Sequence, residues 1–174
     1  MSITKLNNLS ISAVTALPSG VGGKVLQVVS TVKSDTFTLS STTFTDITGM
    51  SVSITPSSAS NKILVLANVN HTGSTSTSSA IRLLRDSTAI AIGDSASNRT
   101  RSSGGANYGN YGVTLTGDSI MFYDSPATTS STTYKIQIMD YGPAGSFVNR
   151  SAGDSDANYG KRSISSITVM EIAP

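Results

Sequence analysis

Few residues in this chain are equipped for chemistry, and the most suggestive is Ser119, within Gly117-Asp118-Ser119. A serine so placed could act as a nucleophile if a base lies within hydrogen-bond reach of its hydroxyl and an acid orients that base. The chain has one histidine, His71, and no Asp-x-x-His pattern near its C-terminal end to supply the base. The tripeptide recurs at Gly93-Asp94-Ser95 and Gly153-Asp154-Ser155. Three copies read as a favoured turn, because Gly takes unusual φ values and the Asp and Ser side chains bond back to the local backbone. On that reading the protein has no catalytic residue and is not an enzyme.

Metal and cofactor chemistry fares no better. A lone His at the end of a strand lacks the further donors that a metal site requires. Asp154-Ser155-Asp156-Ala157-Asn158 begins like a calcium loop, but Tyr159 stands where the sixth position needs Gly and Ser165 where the twelfth needs Glu. That leaves at most a weak surface cation. With no Cys, neither a disulfide framework nor a thiolate site can form. No metal and no cofactor are therefore expected.

Aromatic and basic residues offer a binding surface instead. Ala-Asn-Tyr-Gly occurs at 106–109 and again at 157–160, each time in a long polar stretch shortly before a strand. Tyr108, Tyr111 and Tyr159 would supply rigid, amphipathic contact area at low entropic cost. Arg99, Arg101, Lys161 and Arg162 are near them in sequence and could meet an anionic glycan or a neighbouring subunit. Equally, the tyrosines could cap the ends of a hydrophobic core.

These residues must be carried by a β-rich scaffold. The chain has 174 residues, enough for one domain with a core, and 13% of them are charged, with a formal net charge of +2. So weak a field disfavours nucleic acid as a partner. Ser and Thr make up roughly a third of the chain, which suits exposed strands and loops better than helices. No apolar run approaches the ~18 residues of a membrane span, and residues 1–20 lack the pattern of a signal peptide.

Alternating patterns mark the strands. Met50, Val52 and Ile54 alternate with hydroxyl residues until Pro56 ends the run. Ile63, Val65, Ala67 and Val69 share one face while Leu64 and Leu66 fill the other, which predicts a central strand. Within 24–33, Val25 and Val29 share one face and Leu26, Val28 and Val32 the other, so both faces should be covered. Ile81 and Leu83 lead into a hairpin turn at 85–88, from which Ile90 and Ile92 return. Val113 and Leu115 begin a strand that should end at 117–119, with 120–123 following. Tyr134, Ile136 and Ile138 define another strand, and 165–172 the last. No segment holds a period of 3.6. About eight short strands predict an antiparallel two-sheet sandwich or jelly roll, with long loops at 95–112 and 142–161.

Residues 1–23 differ from the rest. Leu6, Leu9, Ile11, Val14 and Leu17 are scattered apolar residues that cannot build a core alone, and Gly/Pro-rich residues 18–23 follow them. They predict an extended N-terminal docking arm ahead of a domain at 24–174; an additional edge strand of that domain is the alternative.

Four landmarks carry a family resemblance: Gly-Lys-Val-Leu-Gln-Val-Val at 23–29, Ile-Thr-Pro-Ser-Ser-Ala-Ser-Asn-Lys-Ile-Leu-Val at 54–65, Tyr-Asp-Ser-Pro-Ala-Thr-Thr-Ser-Ser-Thr-Thr-Tyr-Lys-Ile-Gln at 123–137 and Ser-Ser-Ile-Thr-Val-Met-Glu-Ile at 165–172. In this order they resemble β-modules of bacteriophage virion proteins, often found at the tips of tail fibres. The resemblance implies a jelly roll of the tumour-necrosis-factor and complement-head type, assembled as a homotrimer. It also implies a place on the virion surface after synthesis in the host cytoplasm. Residues apolar on both faces of several strands fit such an assembly, since a subunit interface would cover the excess. The module begins about 23 residues after Met1, without a long shaft, which favours a capsid decoration or cement protein over a free-standing fibre. The alternative is a short fibre or fibre tip that recognises host surface glycan.

Overall fold

A computed structural model describes residues 24–106, 112–142 and 144–174, and every regular element in them is a β-strand. In chain order the strands are β1 (Val25–Lys33), β2 (Phe37–Leu39), β3 (Thr45–Ile54), β4 (Lys62–Gly73), β5 (Ser79–Arg85) and β6 (Thr88–Ile90). They continue with β7 (Gly104–Ala106), β8 (Thr116–Asp124), β9 (Thr132–Asp140), β10 (Ser146–Val148) and β11 (Ser165–Ile172). All pairings are antiparallel, and they build two sheets. The expected docking-arm residues Leu6, Leu9, Ile11, Val14 and Leu17 lie outside the described residues, as do Tyr108 and Tyr111.

Strand β4 organises the first sheet. Of its twelve residues, Ile63 to His71 pair with β8 along one edge, while the other edge pairs first with β11 and then, at His71–Gly73, with β10. β1 extends the sheet beyond β11, and β2 beyond β10. This change of partner accompanies a strongly curled sheet. The second sheet runs β3-β9-β5, and β6 and β7 share the remaining edge of β5.

The predicted alternation places the core between the sheets. Ile63, Val65, Val69, Ile167 and Val169 from the first sheet pack in one cluster with Met50, Val52, Ile81, Leu83, Ile136 and Ile138 from the second. Each such side chain contributes about 1.5–3 kcal/mol on burial. Between Asp46 and Ser51 the β3–β9 register shifts, and Gly49 takes φ +83° there, a value that L side chains rarely adopt. The stem of buried Lys33 passes over that glycine.

Polar groups also tie the sheets together. Asp124 on β8 accepts hydrogen bonds from Tyr134 on β9 and Arg85 on β5. Glu171 on β11 is buried without a cation, yet its carboxylate accepts from Asn61 Nδ2, Gln27 Nε2, and the backbone N–H and hydroxyl of Ser57. Burial pushes the Glu171 carboxyl up, but those four donors together hold it down to about 2. Asn149, buried with φ 61°, donates to the carbonyls of Lys33 and Asp35 and accepts from Ser165 Oγ.

Two local expectations are corrected. Gly117-Asp118-Ser119 is not a turn; it lies within β8, opposite Asn70, Val69 and Asn68. The continuous β4–β8 ladder occupies the backbone groups that a turn would have bonded locally. The other two copies do lie outside strands, at 93–95 and 153–155. Nor are both faces of β1 covered within the subunit, because Leu26, Val28 and Val32 are exposed.

Candidate functional site

Strand alternation separates the two chemical groups of Gly117-Asp118-Ser119. Asp118 points toward the core side of β8, where its Oδ2 lies 3.1 Å from His71 Nε2. Ser119 points to the outer side, where its Oγ accepts a hydrogen bond from Asn68 Nδ2 at 3.2 Å. The imidazole is thus engaged on the opposite face from the candidate nucleophile. Its other nitrogen, Nδ1, lies 2.9 Å from Ser79 Oγ. Ser79, His71 and Asp118 have the composition of a nucleophile relay, but Ser79 is 1% exposed and His71 is fully buried. Both groups are closed off from solvent, and the cluster joins β4, β5 and β8.

The predicted contact loops are distributed as follows. Arg101 Nε donates to the carbonyl of Gly93 at 2.6 Å, and Arg99 N–H to that of Ala96, so the segment 93–102 closes on itself. Arg162 pairs with Asp154 at 2.7 Å, and Arg150 approaches the same carboxylate while stacking over Phe147. Tyr159, in the same loop, is 55% exposed. This loop meets the end of the other long connection through a bond from Gly153 N–H to the Gly112 carbonyl, and through Lys161 Nζ to the Val113 carbonyl. The structure therefore joins the two loop regions at their bases. Among the described residues, the bonds of Arg99 and Arg101 stay within the 93–102 segment and do not reach the 150–162 loop. Among the described residues no group of three or more His, Asp or Glu could hold a metal ion.

The most unusual surface lies elsewhere, on the outer side of the curled sheet. Register aligns its side chains in rows across β1, β11, β4 and β8. One row is Val28, Met170, Leu64, Tyr123; the next is Ser30, Thr168, Leu66, Met121; a third is Val32, Ser166, Asn68, Ser119. None of these side chains carries a formal charge. Val28 is 55% exposed, Val32 59%, Met121 76% and Tyr123 56%. Those four alone expose on the order of 400 Å² of largely apolar surface, within the range of the largest, often functional, patch of a typical monomer.

The outer side of the second sheet is its opposite. Asp46 accepts from Lys135 Nζ and Gln137 Nε2, both at 2.7 Å. Arg82 Nε donates to Gln137 Oε1, and its guanidinium stacks 4.1 Å from the Phe44 ring centre. The hydrogen bond from Lys135 holds the Asp46 carboxyl below its ordinary range. This face is polar and its groups pair among themselves, as suits contact with water.

Half of the apolar face was legible beforehand. Alternation alone places Leu26, Val28, Val32, Leu64 and Leu66 on the second faces of their strands. Met121 and Tyr123 were not assigned to it, because the strand was expected to break at 117–119. Read as one unbroken strand from Thr116, the alternation places Ser119, Met121 and Tyr123 together. No family model matches the sequence, and no curated protein matches it.

Proposed function

We propose that this chain is a non-enzymatic structural protein of a bacteriophage virion: a trimeric jelly roll displayed on the particle surface as a capsid decoration or cement protein. The observation that carries this reading is the outer face of the β8-β4-β11-β1 sheet, apolar and uncharged over three rows of register, set against the charged outer face of its partner. An isolated subunit would leave the first face in water. Association covers it, and a closed ring of copies leaves none of it exposed.

Strand order supports the jelly-roll part of the reading. With β6 and β7 taken as one broken strand beside β5, the sheets read β1-β11-β4-β8 and β3-β9-β5-β6/β7. First and last long strands are neighbours, and each next pair inward alternates between the sheets, which is the wrapping pattern of a rolled-up antiparallel hairpin. The virion assignment rests on the sequence resemblance across 23–174. Docking through residues 1–23, with Leu6, Leu9, Ile11, Val14 and Leu17 as its apolar contacts, belongs to the same proposal. Other virion proteins are the partners it calls for; nucleic acid and membrane are not.

Sedimentation of the purified chain at micromolar concentration tests the assembly, with a trimer expected and a monomer overturning it. Deleting residues 1–23 should leave a soluble trimer that no longer binds particles; a truncated protein that still decorates them rejects the arm's role. The exposure of Tyr159 beside the Arg162–Asp154 pair favours one second reading, a fibre tip that recognises host surface glycan. Wild-type binding on a glycan array, lost in Tyr159→Ala, would select that reading instead.

A further inference from the structure

The uncharged face is not uniform along its strands. Toward the Gly117 end of β8, the apolar rows give way to amides and hydroxyls: Asn68 and Asn70 on β4 and Ser119 on β8. These groups are prearranged. Asn70 Nδ2 donates to the Ile164 carbonyl at 2.6 Å and to Asn68 Oδ1 at 3.1 Å, and Asn68 Nδ2 donates to Ser119 Oγ at 3.2 Å. Each bond orients the next, so both amides have a defined direction. By valence, the second Asn68 amide proton and the Ser119 hydroxyl proton remain free to donate outward.

Ser166 is their cross-strand neighbour on β11, and exposed apolar side chains stand around them. Ser119 is followed along the outer side of β8 by exposed Met121, Val32 occupies the far end of the Asn68 row, and exposed Ile164 supplies the carbonyl that anchors Asn70. An amide fully in water has no need of such an arrangement. An amide enclosed by apolar surface on association must be aimed at a partner or leave a buried polar group unsatisfied.

We infer that Asn68, Asn70 and Ser119 set the register of the subunit interface, donating to and accepting from polar groups of a second copy of this chain. The inference rests on the assembly proposed above and adds which of its residues determine specificity. A second copy is the occupant that the charge pattern selects. The face carries no formal charge over three rows, so it suits uncharged surface of a neighbouring copy in the ring, whereas a charged partner would be left unpaired against it. The apolar rows supply attraction that tolerates sliding. A single polar cluster makes one alignment better than its neighbours, as one buried Asn does in a helical interface.

Two variants test this by native mass spectrometry and sedimentation velocity, with circular dichroism confirming the fold. Asn68→Asp should weaken assembly at pH 7 by at least a hundredfold in dissociation constant, and acidification below pH 4 should restore it by neutralising the carboxylate. The double variant Asn68→Leu, Ser119→Val should still associate, but as a mixture of stoichiometries. If the wild type assembles and both variants form the same single species with the same affinity, the register role is overturned and the assembly proposal stands. A monomeric wild type overturns both.

Discussion

The phenolic hydroxyl of Tyr134 donates to Asp124 Oδ2 at 2.6 Å, joining β9 of one sheet to β8 of the other in the closed interior. Arg85 Nη1 reaches the same carboxylate at 2.8 Å from β5, so one acidic side chain bridges three strands. Burial, followed by the bond to Asp124, pushes the Tyr134 phenol far above its ordinary range. Tyr134→Phe should cost about 1–3 kcal/mol, because Asp124 loses one donor while remaining buried. Asp124→Ala should cost more, since it strands both partners. Urea unfolding of the two variants checks the order; equal stability of Tyr134→Phe and wild type would refute the latch.

Glu171 predicts an acid-labile component of stability. Its folded-state carboxyl is held to about 2, below the ordinary value of 4.5. The contribution is therefore complete above pH 4.5 and is lost as pH falls from there through 2. Unfolding free energy measured from pH 7 down to pH 2 should decline over that window in the wild type. In Glu171→Gln the decline should be shallower, with a cost at pH 7 of about 1–3 kcal/mol from the weaker acceptor.

The two outer faces should respond oppositely to charge. Met121→Lys places an ammonium on the β8 edge of the uncharged face and should weaken self-association by a hundredfold or more. Its effect on folding should be small, because the side chain is exposed in the subunit. Lys135→Ala, on the outer side of the second sheet, should leave association unchanged and cost less than about 1 kcal/mol of stability. Analytical ultracentrifugation with parallel thermal melts separates the two effects.

Ser119→Ala should leave any turnover of simple ester substrates unchanged. The hydroxyl faces Asn68, and the imidazole is engaged on the other side of the strand. Hydrolysis that depends on Ser119 would reopen the enzymatic reading.

Asn149→Ala should destabilise the protein by roughly 2–4 kcal/mol, because it removes three hydrogen bonds, two of them buried, and puts a Cβ-bearing residue without a compensating amide at positive φ. Asn149→Gly keeps the backbone unstrained and should cost less, a ranking that denaturant melts can establish.

Much of the scaffold is legible from alternation alone. Ile63–Val69, Met50–Ile54, Tyr134–Ile138 and Ser165–Ile172 lie in strands with the predicted residues facing the core, and Asp86-Ser87 forms the expected hairpin turn with Asp86 at φ 53°. The three-residue strands β2, β7 and β10 escaped notice, being too short for any period to show. Gly117-Asp118-Ser119 misled because its residues favour turns locally, whereas a nine-residue ladder with β4 prevails over that preference. The partners of Glu171, Asp124 and His71 were likewise invisible, since alternation carries no sign of them and several lie far off in sequence: Glu171 accepts from Asn61, Asp124 from Arg85, and His71 meets Asp118.

By itself, then, the sequence determined an all-β chain with low charge, a two-residue period and apolar side chains on both faces of several strands. Periodicity is a local property, and burial follows from it directly. Only the tertiary structure decided which second faces lie side by side: β1, β11, β4 and β8 become neighbours through long-range pairing that no local pattern encodes. That pairing converts apolar residues scattered from Val28 to Met170 into one uncharged surface, and it sets Asn68, Asn70 and Ser119 at its end.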